Sequence, residues 1–197
     1  MNILLDRVPQ SVRIGDKRVP INSDFRTGLR FELLMQSDLS DQDKLVRALS
    51  MYYDVIPDLI EQAVDQMLWF FRCGDIIKEK KQSGNNKVLY SYEHDQYLIY
   101  TAFLFYYQID LCDVEFLHWW KFRKLFLELP EESQMKKVML YRSVSINGNM
   151  TKEQRKYYAE MKRIYALPDD QTVISKANRF ANVLANGMKL PESEVML

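Results

Sequence analysis

The chain has 197 residues, of which 47% are apolar, 13% aromatic and 27% charged, enough to bury a substantial core and too much to stay disordered in bulk. Its 27 Lys and Arg balance 27 Asp and Glu, so no global field draws it to nucleic acid or an anionic membrane. Any electrostatic preference has to be regional.

In chain order, Ser11 to Ile14 and Lys17 to Ile21 alternate around the turn pair Gly15-Asp16, which predicts a small hairpin with Pro20 at an exposed edge. The signals after it are helical. Ser23 or Asp24 can cap a helix carrying Phe25, Leu29, Leu33 and Leu34, and Ser40 with Asp43 has the spacing of a second helix start. Pro57 reads as first-turn proline of a helix bearing Ile60, Ala63, Met67, Leu68 and Phe71, which Gly74 ends. Residues 78 to 87, KEKKQSGNNK, read as an exposed loop. From Glu93 to Ile109 nearly every face is apolar, which predicts a central helix surrounded by the others. That run is too short for the ~20 residues a membrane span needs. Asp113 offers a cap for a helix through Leu129, stopped by Pro130. Ser133 to Val144 forms another, and Thr151 with Gln154 makes a capping box for one reaching Leu167. A short amphipathic segment follows near 176 to 188, with Phe180, Val183 and Leu184 on one side. The expected fold is mainly α, a compact multi-helix domain with a small N-terminal β-hairpin over residues 1–170, followed by a C-terminal amphipathic segment and tail over 171–197.

Motifs that carry chemistry are sparse. The six glycines form neither GxxxxGK nor GxGxxG, and Cys73, Cys112, His94 and His118 make no CxxC or HxxxH pair. No GxSxG elbow and no HExxH occurs. The expectation is a protein that is not an enzyme and takes no metal or cofactor. Two thiols with no signal peptide fit a reducing compartment.

The densest stretch is His118-Trp119-Trp120-Lys121-Phe122-Arg123. On a helix, Trp119, Trp120, Phe122 and Phe126 share a wide face with Phe116, and Arg123 falls inside it, where a guanidinium must be paired, stacked on a ring or delivered to a partner. Trp119, Trp120 and Arg123 are therefore core residues or anchors for another protein, Trp and Arg being the commonest interface hot spots. On the segment 151–167, Tyr157, Tyr158, Met161, Ile164 and Tyr165 form one face, and Arg155, Lys156, Lys162 and Arg163 spread over the opposite one with Lys152. A solvated face and a phosphate-binding stripe are both open, with Glu153 and Glu160 at the edge weakening the second. Charge is uneven along the chain. Residues 36–66 carry seven carboxylates against two cations, a net −5, and residues 121–163 eleven cations against five carboxylates, a net +6. Within one molecule these segments can simply attract each other; between molecules the same polarity favours head-to-tail association.

Leu5-Asp6-Arg7-Val8-Pro9, Ile21-Asn22-Ser23-Asp24-Phe25-Arg26, the HWWKFR stretch, Tyr141-Arg142, and Lys152 to Tyr158 through Tyr165-Ala166-Leu167-Pro168-Asp169 occur in the same order as in one phage family. Over roughly Met1 to Asp170 the chain resembles the bacteriophage gene-product-fifteen family, encoded in the tail modules of long-tailed phages and prophages of Gram-positive bacteria. The resemblance implies a tail assembly chaperone that binds the tape measure protein and recruits the major tail protein. It implies a homo-oligomer in the host cytoplasm that is absent from the mature virion, with no catalytic residues to carry over. The alternatives are a nucleic-acid-binding phage protein using the basic 151–167 helix, or a permanent structural tail component. Partner contacts are expected from Trp119, Trp120, Arg123, Arg155, Lys156, Lys162, Arg163, Phe180 and Leu184, with no membrane role.

Overall fold

Backbone polarity and side-chain caps account for most of the elements. In a computed structural model, which describes residues 5–74 and 88–168, strands β1 (Ser11–Ile14) and β2 (Lys17–Pro20) pair antiparallel with Val12 opposite Val19. Gly15 takes the positive φ that the tight turn requires, +56°. Helix α1 (Phe25–Gln36) is capped by Asp24, α2 (Asp41–Tyr52) by Ser40 and α6 (Gln134–Ser143) by Ser133, each side chain accepting a first-turn N–H. Helix α7 (Lys152–Ile164) starts with the full Thr151/Gln154 capping box. The other helices among the described residues are α3 (Ile60–Phe71), α4 (Gln96–Tyr107) and α5 (Trp119–Leu127). The mainly α class with one small hairpin is what the periodicity implied.

Three boundaries differ from expectation, each for a local reason. Pro57 lies ahead of α3, whose cap Leu59 makes no side-chain hydrogen bond. Asp113 caps nothing; it sits in a turn that Asp110 closes by accepting the Cys112 N–H at 2.8 Å. Helix α5 begins six residues later, where the His118 ring nitrogen Nδ1 accepts the Trp120 N–H at 3.1 Å. Histidine is not among the usual capping side chains, so nothing local marked this start. Helix α4 stops at Gln108, which adopts a left-handed conformation with φ 55°.

The described residues form two compact units. Unit 1 holds 5–74 and 116–123; unit 2 holds 88–115 and 124–168, so α5 contributes its first half to one and its second half to the other. In unit 1 the hairpin turn rests on α3, with the Gly15 N–H donating to Gln62 Oε1 at 2.7 Å. Its core is aromatic: Phe31 meets Tyr52 and Phe71 edge-on, and Phe25 stacks on Phe122 at 5.0 Å. In unit 2, Tyr90 and Tyr92 pack on Phe126, and α4 packs on α6.

Helix α4 is not surrounded. It buries Ile99, Ala102 and Phe103, while Tyr97 (76% exposed) and Phe105 (73%) face outward. A helix apolar on every face carries no phase, so its composition could not say which side would be covered. Residues 78–87 and 176–188, with Phe180 and Leu184, lie outside the described residues, as does the boundary proposed at 170.

Candidate interaction surfaces

The HWWKFR stretch solves a backbone problem in unit 1. The last turn of α3 leaves carbonyl oxygens with no partner inside the helix. Two of them, on Phe70 and Phe71, receive three side-chain donors from α5. Trp120 Nε1–H donates to the Phe70 carbonyl at 2.7 Å, Trp119 Nε1–H to that of Phe71 at 2.7 Å, and the Arg123 guanidinium to Phe71 again at 2.9 Å. A cation there also opposes the negative end of the α3 dipole.

Ring contacts reinforce the arrangement. Trp119 stacks between Phe71 at 5.3 Å and Phe122 at 5.9 Å, and Arg123 lies 5.6 Å from the Phe71 ring centroid and 5.8 Å from that of Trp119. The carboxylate pairing considered for Arg123 does not form among the described residues; carbonyl and rings take its place. Glu32 on α1 feels the guanidinium at longer range. Burial pushes the Glu32 carboxyl up to about 7, and Arg123 tempers the rise.

His118 ties this stretch to the start of the chain. With Nδ1 accepting from Trp120, the ring presents Nε2–H to the Pro9 carbonyl at 2.9 Å, which assigns the neutral tautomer; burial holds its pKa below the usual range. An isolated antiparallel bridge joins Asp24 to His118, and Trp119 N–H donates to the Ser23 carbonyl at 2.8 Å. Gly28 lets the helices meet, since a Cβ there would overlap the Trp119 indole. Trp119 and Trp120, 1% and 4% exposed, thus have their N–H groups and ring faces engaged within unit 1.

In unit 2, α7 buries none of its residues and is held to α6 by tyrosines. Tyr141 on α6 stacks on Tyr165 at 5.8 Å and meets Tyr157 edge-on, their hydroxyls 3.0 Å apart. The positions singled out on α7 separate. Lys162 turns toward α6 and donates to the Arg142 carbonyl at 3.1 Å, and Arg163 pairs with Glu160 at 2.8 Å. Arg155 and Lys156 are exposed, and their side chains make no hydrogen bond or ion pair among the described residues.

Beneath the tyrosines lies a buried ion pair that the residue pattern did not disclose. Arg142 contacts Asp95 through both terminal guanidinium nitrogens, at 2.6 and 2.8 Å, and donates to the carbonyls of Leu89 and Tyr165. Asp95 also accepts the Ser91 N–H at 2.9 Å. Its only sequence signal was the Tyr141-Arg142 pair, and nothing local pointed to a partner 47 residues away.

Among the described residues no group of three or more His, Cys, Asp or Glu is arranged to hold a metal ion, and no helix is long and apolar enough to cross a membrane. The aromatic staple at the end of α3 and the capping box of α7 both fall within residues 4–167, which match the model of a phage family described as Bacteriophage Gp15 protein. The chain belongs to that family. No curated protein and no solved structure matches it.

Proposed function

We propose that this phage protein is a tail assembly chaperone: it binds the tape measure protein, recruits tail-tube subunits of the major tail protein, and acts in the host cytoplasm without remaining in the mature virion. The observation that carries this reading is the family match over residues 4–167. The exposed side chains support it. Tyr97, Phe105, Tyr157 and Ile164 are large apolar groups left at the surface, the kind of feature that marks protein-binding surfaces rather than a catalytic cleft. The proposal includes no chemistry by the protein itself and no cofactor.

Co-expression of the tagged chain with the tape measure protein and the major tail protein, followed by pull-down and mass spectrometry, tests it. Capture of the tape measure protein, with the chain missing from purified mature tails, is the expected result. Failure of capture overturns the reading. Presence in mature tails would make the protein a structural component. Salt-sensitive DNA binding through α7 would favour the nucleic-acid reading, against which Arg163 is already held by Glu160 and Lys162 by a carbonyl.

A further inference from the structure

Helix α4 has one exposed side. Tyr97, Thr101, Leu104, Phe105 and Gln108 are all exposed and, at 100° per residue, fall within about 100° of one another, opposite the buried Ile99, Ala102 and Phe103. None of the five is charged. The carboxylates stand at the two ends instead: Glu93 just before the helix, Asp113 and Glu115 after it, all exposed and without an ion pair among the described residues. No Lys or Arg occurs anywhere in residues 88–115 to neutralise them locally.

The chain leaves unit 2 beside the start of this helix. One guanidinium, that of Arg142, holds both the Asp95 carboxylate, immediately ahead of α4, and the Tyr165 carbonyl, which ends α7. The residues after Pro168 therefore set out close to the first turn of α4. Their sequence complements its face. Residues 171–191 contain no Asp or Glu and three cations, Lys176, Arg179 and Lys189. At helical spacing, Ala177, Phe180, Leu184 and Met188 fall on one stripe. From Ala177 to Met188 that stripe advances eleven residues, as the α4 face does from Tyr97 to Gln108, so each extends about 17 Å at 1.5 Å per residue.

We propose that residues 173–189 dock along the exposed face of α4 in the same chain, with Phe180 and Leu184 covering Tyr97 and Phe105, and with Lys176 and Lys189 at the carboxylates that flank the face. An uncharged face disfavours a partner that must bury an unpaired charge on it, and this segment brings an apolar stripe with its cations at the margins. The tether supplies it at high effective concentration, which favours the chain's own segment over a free competitor. A partner that uses Tyr97 and Phe105 then has to displace it. The inference stands on these surfaces and does not rest on the chaperone reading.

The test uses the full chain at about 1 μM, where contacts between chains of micromolar affinity are sparsely filled, mixed with an equal amount of chain labelled with heavy nitrogen. A carbodiimide, which joins touching amines and carboxylates directly, should link Lys176 or Lys189 to Glu93, Asp113 or Glu115, and the linked peptides should be all light or all heavy. Phe180→Asp with Leu184→Asp should reduce these links at least about tenfold, and hydroxyl-radical labelling of Tyr97 and Phe105 should rise severalfold. Should that variant fail to fold, Lys176→Glu with Lys189→Glu takes its place in the labelling experiment, where the same two rings should again become more reactive. Links of mixed label would make a second copy the occupant, and links to Asp58 or Glu61 would place the segment on unit 1; either result overturns the proposal. So does the absence of links, or labelling of Tyr97 and Phe105 that is the same in the wild type and the folded variant.

Discussion

Trp119 shows what a single side chain contributes when its ring and its N–H serve different neighbours. Trp119→Phe keeps the stack between Phe71 and Phe122 but removes the indole donor to the Phe71 carbonyl, which Arg123 still supplies, so the loss in unfolding free energy should be about 1 kcal/mol. Trp119→Ala removes the ring as well and should cost about 3–5 kcal/mol. Equal losses in urea titrations of the two variants would refute the division between stacking and capping. Glu32 supplies a pH dependence. Its folded pKa, about 7, lies above the ordinary 4.5, so the folded state binds the extra proton between these values. Its contribution to stability is therefore complete below about 4.5 and lost as pH rises through about 7. Glu32→Gln should flatten the fall in melting temperature between pH 5 and 7, and an unchanged slope would show that another group titrates there. His118 works in the opposite sense: its lowered pKa favours the neutral ring, so the stability it adds is present above the usual histidine range and lost on acidification below it.

The elements are joined by a few long-range polar ties laid over apolar contact. In unit 2 the Asp95–Arg142 pair connects the start of α4 to α6, and Arg142 extends it to the residue that ends α7 by holding the Tyr165 carbonyl at 2.8 Å. Both side chains are at most 9% exposed, so removing one partner strands a charge. Asp95→Asn should lower stability by about 3–5 kcal/mol, and combining it with Arg142→Met should recover part of the loss, as measured in a double-mutant cycle by urea denaturation. Additive losses would mean the two groups do not act as a pair. Arg142→Lys should not substitute, because an ammonium cannot reproduce the two-pronged contact with Asp95 and the carbonyl bonds together.

At the scale of the molecule, the chain is interleaved. Unit 1 takes residues 116–123 from beyond unit 2's first segment, and those residues carry the two indole N–H groups and the guanidinium that reach the end of α3. A fragment ending at residue 115 should therefore lack Trp119, Trp120 and Phe122, removing the indole and guanidinium donors to the Phe70 and Phe71 carbonyls and leaving them the contacts from Cys73. It should show no cooperative thermal transition by near-ultraviolet circular dichroism, whereas the full chain should. A cooperative melt in the fragment would mean that the staple is dispensable for unit 1.

How far the sequence could be read follows the distance over which each interaction acts. The hairpin and the Asp24, Ser40, Ser133 and Thr151 caps were legible, because a turn residue or a capping side chain meets its backbone partner within three positions, and the existence of the seven helices among the described residues followed from their apolar periodicity. The family motifs were legible as patterns, but their work was not. Why two indoles and a guanidinium follow one another becomes clear only when the chain returns 48 to 52 residues later to the end of α3, and why Gly28 is a glycine only when Trp119 arrives against it. The exposed face of α4 was likewise undecided by a run of uniformly apolar residues, and the Asp95–Arg142 pair by carboxylates and guanidiniums with no local preference for each other. By itself the sequence determined the local elements and the family resemblance. Tertiary structure decided which faces were covered and which charges found partners, because burial and long-range pairing depend on residues brought together from distant parts of the chain.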